Sequence, residues 1–147
     1  MIATVVTQIT INSSASEVFK YLTDLRYNHL WNPQIKKLSS RKKLKLHSTY
    51  ETVSKVLGVT VESKNTVTVF KPDAELQLEN ATGTVQYKAN FKLTANGSGG
   101  IVLKCTTKVS SDSKAFAFTK PVMTLLARRE LQTDLAALKI AVENQLE

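Results

Sequence analysis

The sequence predicts an α+β fold: a curved antiparallel sheet of six to seven strands wrapped on a long C-terminal helix, with two short helices after the first strand. Three observations predict it. Alternating apolar and polar residues fill the middle of the chain in segments joined by short turns. A capped helical signal follows the first such segment. The last quarter switches to helical spacing and contains no glycine.

The first element runs from Thr4 to Ile11. Val5, Thr7, Ile9 and Ile11 point one way and Val6, Gln8 and Thr10 the other, the pattern of a half-buried strand. In "INSSASEVFKYL", Ser14 and Glu17 have capping-box spacing, and Val18, Phe19 and Leu22 recur at helical intervals. A helix therefore starts near Ala15 and ends around Asp24 to Leu25. A second helical turn runs into Trp31 and stops at Pro33, which has no N–H to donate and disfavours a helical residue before it. The stretch "DLRYNHLWNPQIKK" gathers Asp24, Tyr27, His29 and Trp31 at this corner. Trp31 is expected to wedge between the helices and the sheet, with its N–H finding a partner. Asp24 is expected to bond nearby backbone or the Tyr27 or Trp31 side chains. Tyr27 and His29 are placed on a loop at the mouth of a pocket.

Strands follow. Tyr50, Thr52, Ser54 and Val56 share one face of "STYETVSKVL", and Gly58 marks a hairpin. Val59, Val61, Ser63, Asn65, Val67 and Val69 then face inward, and "KPD" (Lys71 to Asp73) is a turn. Leu76, Leu78 and Asn80 face inward in the next segment, and Val85, Tyr87, Ala89, Phe91 and Leu93 in the one after. "NGSGG" is a second hairpin turn, leading to Ile101, Leu103, Cys105, Thr107 and Val109 on the inner face. From Pro121 to Leu146 a helix of roughly 26 residues spans about 39 Å. Its apolar stripe is Leu131, Leu135, Leu138 and Val142, continuing toward Ala127 and Met123 or Thr124.

The 147 residues, 42% hydrophobic and 22% charged, suit one domain over 1–147 with a real core. No apolar run approaches the roughly 20 residues of a membrane span. The N-terminal segment reads as a strand rather than a signal peptide, and Cys105 is the single cysteine, so a cytoplasmic location is expected. The net charge is +8, with a basic run, "IKKLSSRKKLKLHS", whose Lys and Arg residues fall within 36–45. That run reads as a solvated loop. Its alternative role is an interaction module for an acidic partner, and it is the one segment offering membrane contact. Few aromatics interleave with its lysines, which disfavours nucleic acid.

Metal motifs such as CxxC and HExxH are missing, as are GxSxG and GxxxxGK[ST], so no metal or cofactor is expected. Seven polar residues lie on inward strand positions: Thr52, Ser54, Ser63, Asn65, Asn80, Tyr87 and Thr107. In a closed core each would need a partner or cost about 1–3 kcal/mol. A cavity between sheet and helix explains them better. Its expected lining is Tyr50, Thr52, Ser54, Asn65, Leu78, Asn80, Tyr87, Ala89, Phe91, Cys105, Thr107, Met123 and Ala127. No Asp, Glu or Arg is expected on the inward faces.

The segments "ITINSSASEVFKYLTDLRYNHLWNP", "VFKPDAELQLEN" and "LQTDLAALKIAVENQLE" resemble the START-like or Bet v 1-like superfamily, including the polyketide cyclase/dehydrase and lipid-transport group often called SRPBCC proteins. The resemblance covers nearly the whole chain and implies a helix-grip fold, a single START-like ligand-binding domain. Its expected function is to bind a small hydrophobic molecule or lipid between sheet and helix, as carrier or sensor. The alternative it implies is an enzyme of the cyclase/dehydrase kind, with Tyr87 and Asn65 or His29 handling protons.

Overall fold

The computed structural model describes residues 2–56, 59–83, 85–111 and 120–147; Gly58, expected at a hairpin, lies outside them. Strand β1 (Ile2–Ile11) leads into helix α1 (Ala15–Thr23), a 3-10 turn (Leu25–Tyr27) and helix α2 (Asn28–Trp31). Strands β2 (Ile35–Leu38), β3 (Thr49–Val56), β4 (Val59–Lys71), β5 (Glu75–Asn80), β6 (Gln86–Ala95) and β7 (Ile101–Ser110) follow, and helix α3 (Lys120–Glu143) ends the chain. The seven strands form one antiparallel sheet in the order β1-β7-β6-β5-β4-β3-β2. The two short helices thus carry the chain from one sheet edge to the other, and every later strand pairs with its predecessor.

Local chemistry fixes the corner. Ser14 Oγ accepts from Glu17 N at 3.2 Å and starts α1 as the capping spacing predicts. Asp24 ends α1 and caps the 3-10 turn by accepting from Arg26 N at 3.1 Å. Its carboxylate is buried and grips the Arg26 guanidinium, Nη2 to Oδ2 at 2.6 Å. Its side-chain partner is therefore Arg26, not Tyr27 or Trp31. That hydrogen bond, more than the opposing burial, holds the Asp24 carboxyl below its ordinary range. Trp31 is buried as expected. Its Nε1 donates to Tyr21 O at 3.2 Å, and its ring meets Phe91 edge-on with centroids 6.1 Å apart.

Two strands depart from the expected pattern. The basic run supplies β2, which pairs with β3 through a register shift between Ile35 and Lys37. Further along, Leu25 N donates to Lys42 O, Leu44 N donates to Thr23 O, and the Leu44 side chain is buried. The run is therefore partly built into the corner and the sheet edge rather than being a free loop. In β4 a bulge lies between Val67 and Val69. The extra residue reverses the side-chain parity. Val69 therefore pairs with the outward Gln77 instead of facing in, and Phe70 turns inward beside Leu76, edge-on to Phe19 at 5.3 Å.

The turn at Asn96–Gly100 needs its glycines. Asn96 Oδ1 accepts from Ser98 N and Gly100 N, Gly97 has φ +84°, and a Cβ on Gly100 would lie 2.7 Å from Ile11 O. Helix α3 divides into two parts. Leu135, Leu138, Ala141 and Val142 are buried in the main core with Leu76, Phe91 and Leu103. The turns before Leu135 cover the cavity described below.

On the outer face, Lys88 pairs with Lys108 and Lys92 with Lys104 across β6 and β7. Only the β6 lysines have a glutamate across the next strand pair, Glu79 opposite Lys88 and Glu75 opposite Lys92. Directly opposed like charges destabilise a sheet. Lys104→Glu converts one such pair to opposite sign and is expected to raise stability in a urea melt by about 0.2–1 kcal/mol. A loss of stability would contradict the close approach of the two side chains.

Candidate functional site

A cavity of about 240 Å³ opens between the inner sheet face and the N-terminal half of α3. The strands build its floor by parity: Tyr50, Thr52 and Ser54 from β3, Val61, Ser63 and Asn65 from β4, Leu78 from β5, Tyr87, Ala89 and Phe91 from β6, and Thr107 and Val109 from β7. Ala127, Glu130, Leu131 and Asp134 of α3 form the roof, and Asn28, Trp31, Gln34 and Ile35 close one side. Three of these four roof residues are small or polar, which leaves the space beneath them open. Past Leu135 the helix presents Leu138 and Val142, and there the core is filled.

Most residues expected at the cavity lie there: Tyr50, Thr52, Ser54, Asn65, Leu78, Tyr87, Ala89, Phe91, Thr107 and Ala127. Asn80 does not, because the backbone claims it. Its Oδ1 accepts from Lys64 N at 3.3 Å and its Nδ2 donates to Val85 O at 2.7 Å. Cys105 is fully buried in the main core, with Sγ 3.6 Å from Thr107 Oγ1. Burial pushes its thiol up to about 12, far from a reactive thiolate. Tyr27 sits on the 3-10 turn with its ring 4.6 Å from that of Tyr21. His29 is exposed on α2, where the helical turn rotates it outward. Neither borders the cavity, and His29 drops out as a proton-transfer partner for Tyr87. Met123 lies outside the residues whose side chains are described.

The sequence reading placed no acid on the inward faces, and the structure corrects this. Asp134 is 6% exposed and Glu130 half-buried, one helical turn apart on α3, and both border the cavity. They were legible as a face: Ala127, Glu130, Leu131, Asp134 and Leu138 follow helical spacing. Gln34, just before β2, donates from Nε2 to Asp134 Oδ2 at 2.8 Å and to Asn32 Oδ1 at 3.0 Å. Burial pushes the Asp134 carboxyl up to about 7, opposed by the Gln34 hydrogen bond and reinforced by Glu130. Burial raises Glu130 as well. The Tyr50 and Tyr87 phenols are raised by burial, so both are neutral donors.

Asn65 is 1% exposed, and its Nδ2 donates to Tyr50 O at 3.3 Å and Thr52 Oγ1 at 3.2 Å. Since Tyr50 O can only accept, the amide orientation is fixed. Asn65 Oδ1 is then left without a donor among the described residues. No group of three or more His, Cys, Asp or Glu gathers among the described residues, and no described helix is long and apolar enough to cross a membrane.

A curved antiparallel sheet gripping a long helix above an internal cavity defines a helix-grip domain. The chain belongs to the polyketide cyclase/dehydrase and lipid transport family, whose model matches residues 3–143. Among solved structures it is similar to a START superfamily protein from Mycobacterium smegmatis, with TM-score 0.80 and 17% identity over 97% of this chain and 98% of that one. A protein from Thermus thermophilus superposes with TM-score 0.83 and 13% identity over 98% and 99% of the two chains. The Zhui aromatase/cyclase from Streptomyces gives 0.80 and 12% over 99% and 96%. At these identities the likeness is one of fold. No curated protein matches the sequence.

Proposed function

We propose that this protein binds a small, largely apolar molecule in the cavity between the sheet and α3, as a carrier or sensor. The observation that carries the reading is the cavity itself, walled by Val61, Leu78, Phe91 and Leu131 and set with a few fixed polar groups. The family's description, cyclase/dehydrase and lipid transport, supports the same class of ligand. Ala89 lies mid-floor on β6, so enlarging it fills the space without removing a polar contact. The neutral dye Nile red is expected to bind one to one with enhanced emission. Ala89→Trp, folded as judged by circular dichroism, is expected to weaken binding about tenfold or more, which is ~1.4 kcal/mol. Equal binding by the folded variant would remove the cavity as the binding place.

One observation favours a second reading. An enzyme that cyclises or dehydrates a poly-carbonyl chain needs a group that exchanges protons near neutral pH. The Asp134 carboxyl, brought to about 7 and facing the same space as the Tyr87 phenol, is such a group.

A further inference from the structure

We propose that the molecule held in this cavity carries a protonated amine, seated against the carboxyl groups of Glu130 and Asp134. This rests on the cavity being a ligand site, and it narrows the ligand from any lipophilic molecule to a lipophilic base.

The first ground is charge. Two acids one turn apart on a helix repel each other, more so in an apolar space. Burying them without a cation is costly. The protein, net +8, has cations in excess, yet among the described residues bordering the cavity there is no Lys, Arg or His. Arg128 and Arg129, beside the pair on α3, are exposed. Among the described residues, the groups near Asp134 are Glu130 on its own helix, the Gln34 amide and the Cys105 thiol, and Tyr50 and Tyr87 line the same cavity; none of these is a cation.

The second ground is independent and comes from hydrogen bonding. Gln34 uses both Nε2 hydrogens on Asn32 and Asp134, and Asn65 uses its Nδ2 on Tyr50 and Thr52. What these two lining amides have left is carbonyl oxygen, and Asn65 Oδ1 is buried without a donor among the described residues. Once ionised, the carboxyl groups, like the amide oxygens, lack donors, not acceptors. An ammonium group brings three donors, no acceptor and a positive charge. A carboxylate, as on a fatty acid, brings the opposite of each.

Three probes sharing one naphthalene body and propyl arm test this: naphthylpropylamine, naphthylpropanol and naphthylpropanoic acid, titrated calorimetrically at neutral pH. The amine is expected to bind about tenfold or more tightly than the alcohol, charge-assisted hydrogen bonds being the stronger class, and the acid to bind weakest. In the Glu130→Gln/Asp134→Asn double variant, and in Glu130→Gln alone should the double variant misfold, the amine's advantage should shrink while the alcohol's affinity stays within about twofold. Equal binding of all three, or tightest binding of the acid, overturns the amine assignment and leaves the cavity reading standing. If none binds, the amine assignment falls, and if Nile red also fails to bind, the cavity reading falls with it.

Discussion

Trp31→Ala is expected to lower the stability of the fold by about 3–5 kcal/mol, the range for removing a large buried aromatic. Trp31 is 5% exposed and lies at the junction of three layers. Its indole N–H is bound to Tyr21 O, tying α2 to α1. Its ring edge meets Phe91, tying both helices to β6. Alanine leaves Tyr21 O without this donor and opens a void continuous with the cavity, so neighbouring side chains cannot close over it. A urea melt followed by circular dichroism measures the loss. The same variant should bind Nile red more weakly, because the cavity loses one wall. A change below about 1 kcal/mol would mean that the corner is held by other contacts, with the Asp24–Arg26 pair the next to examine.

This corner was legible because its signals are local. The Ser14 cap, the Asp24 stop and Pro33 act on backbone within a few residues of themselves. The inward strand faces were legible for a similar reason, since a period of two survives as long as the ladder is unbroken. Where β4 inserts its extra residue, counting failed at Val69 and Phe70, because nothing in the residue types marks the bulge. Strand β2 escaped because Lys36 and Lys37 are exposed and only Ile35 and Leu38 show apolar character. Inward parity alone also misplaced Asn80 and Cys105. Parity says which face a side chain takes but not whether backbone or core has already claimed it. The acid pair was missed for a different reason. The α3 stripe was drawn through leucines, on the premise that an inward helix face is apolar, and a helix roofing a cavity does not obey that premise.

Asp134→Asn is expected to stabilise the protein at about pH 8 by roughly 2–4 kcal/mol, and to change little at about pH 4. The folded protein holds the Asp134 proton up to about pH 7, whereas an unfolded chain releases it near the ordinary value of 3.8. Below the lower value both states are protonated, and burial of the neutral acid is tolerated. Between the two values the unfolded chain is ionised and the folded one is not. Stability therefore falls as pH rises, at up to about 1.4 kcal/mol per pH unit, and levels off above the folded value. Asparagine cannot ionise, and its carbonyl still accepts from Gln34 Nε2. It should remove this slope without removing the hydrogen bond. Urea melts of both proteins across this pH range read the effect directly, and a difference that does not change with pH would show that Asp134 ionises freely in the fold. A chain that keeps an acid where an amide would be more stable gives up stability for something at that position. Under the amine proposal that something is a bound base: a carboxyl group bordering the cavity, with no cation among the described residues there, destabilises the empty protein and gains from a bound base. The stability recovered in Asp134→Asn and the amine selectivity lost from the same carboxyl are then two measurements of one interaction.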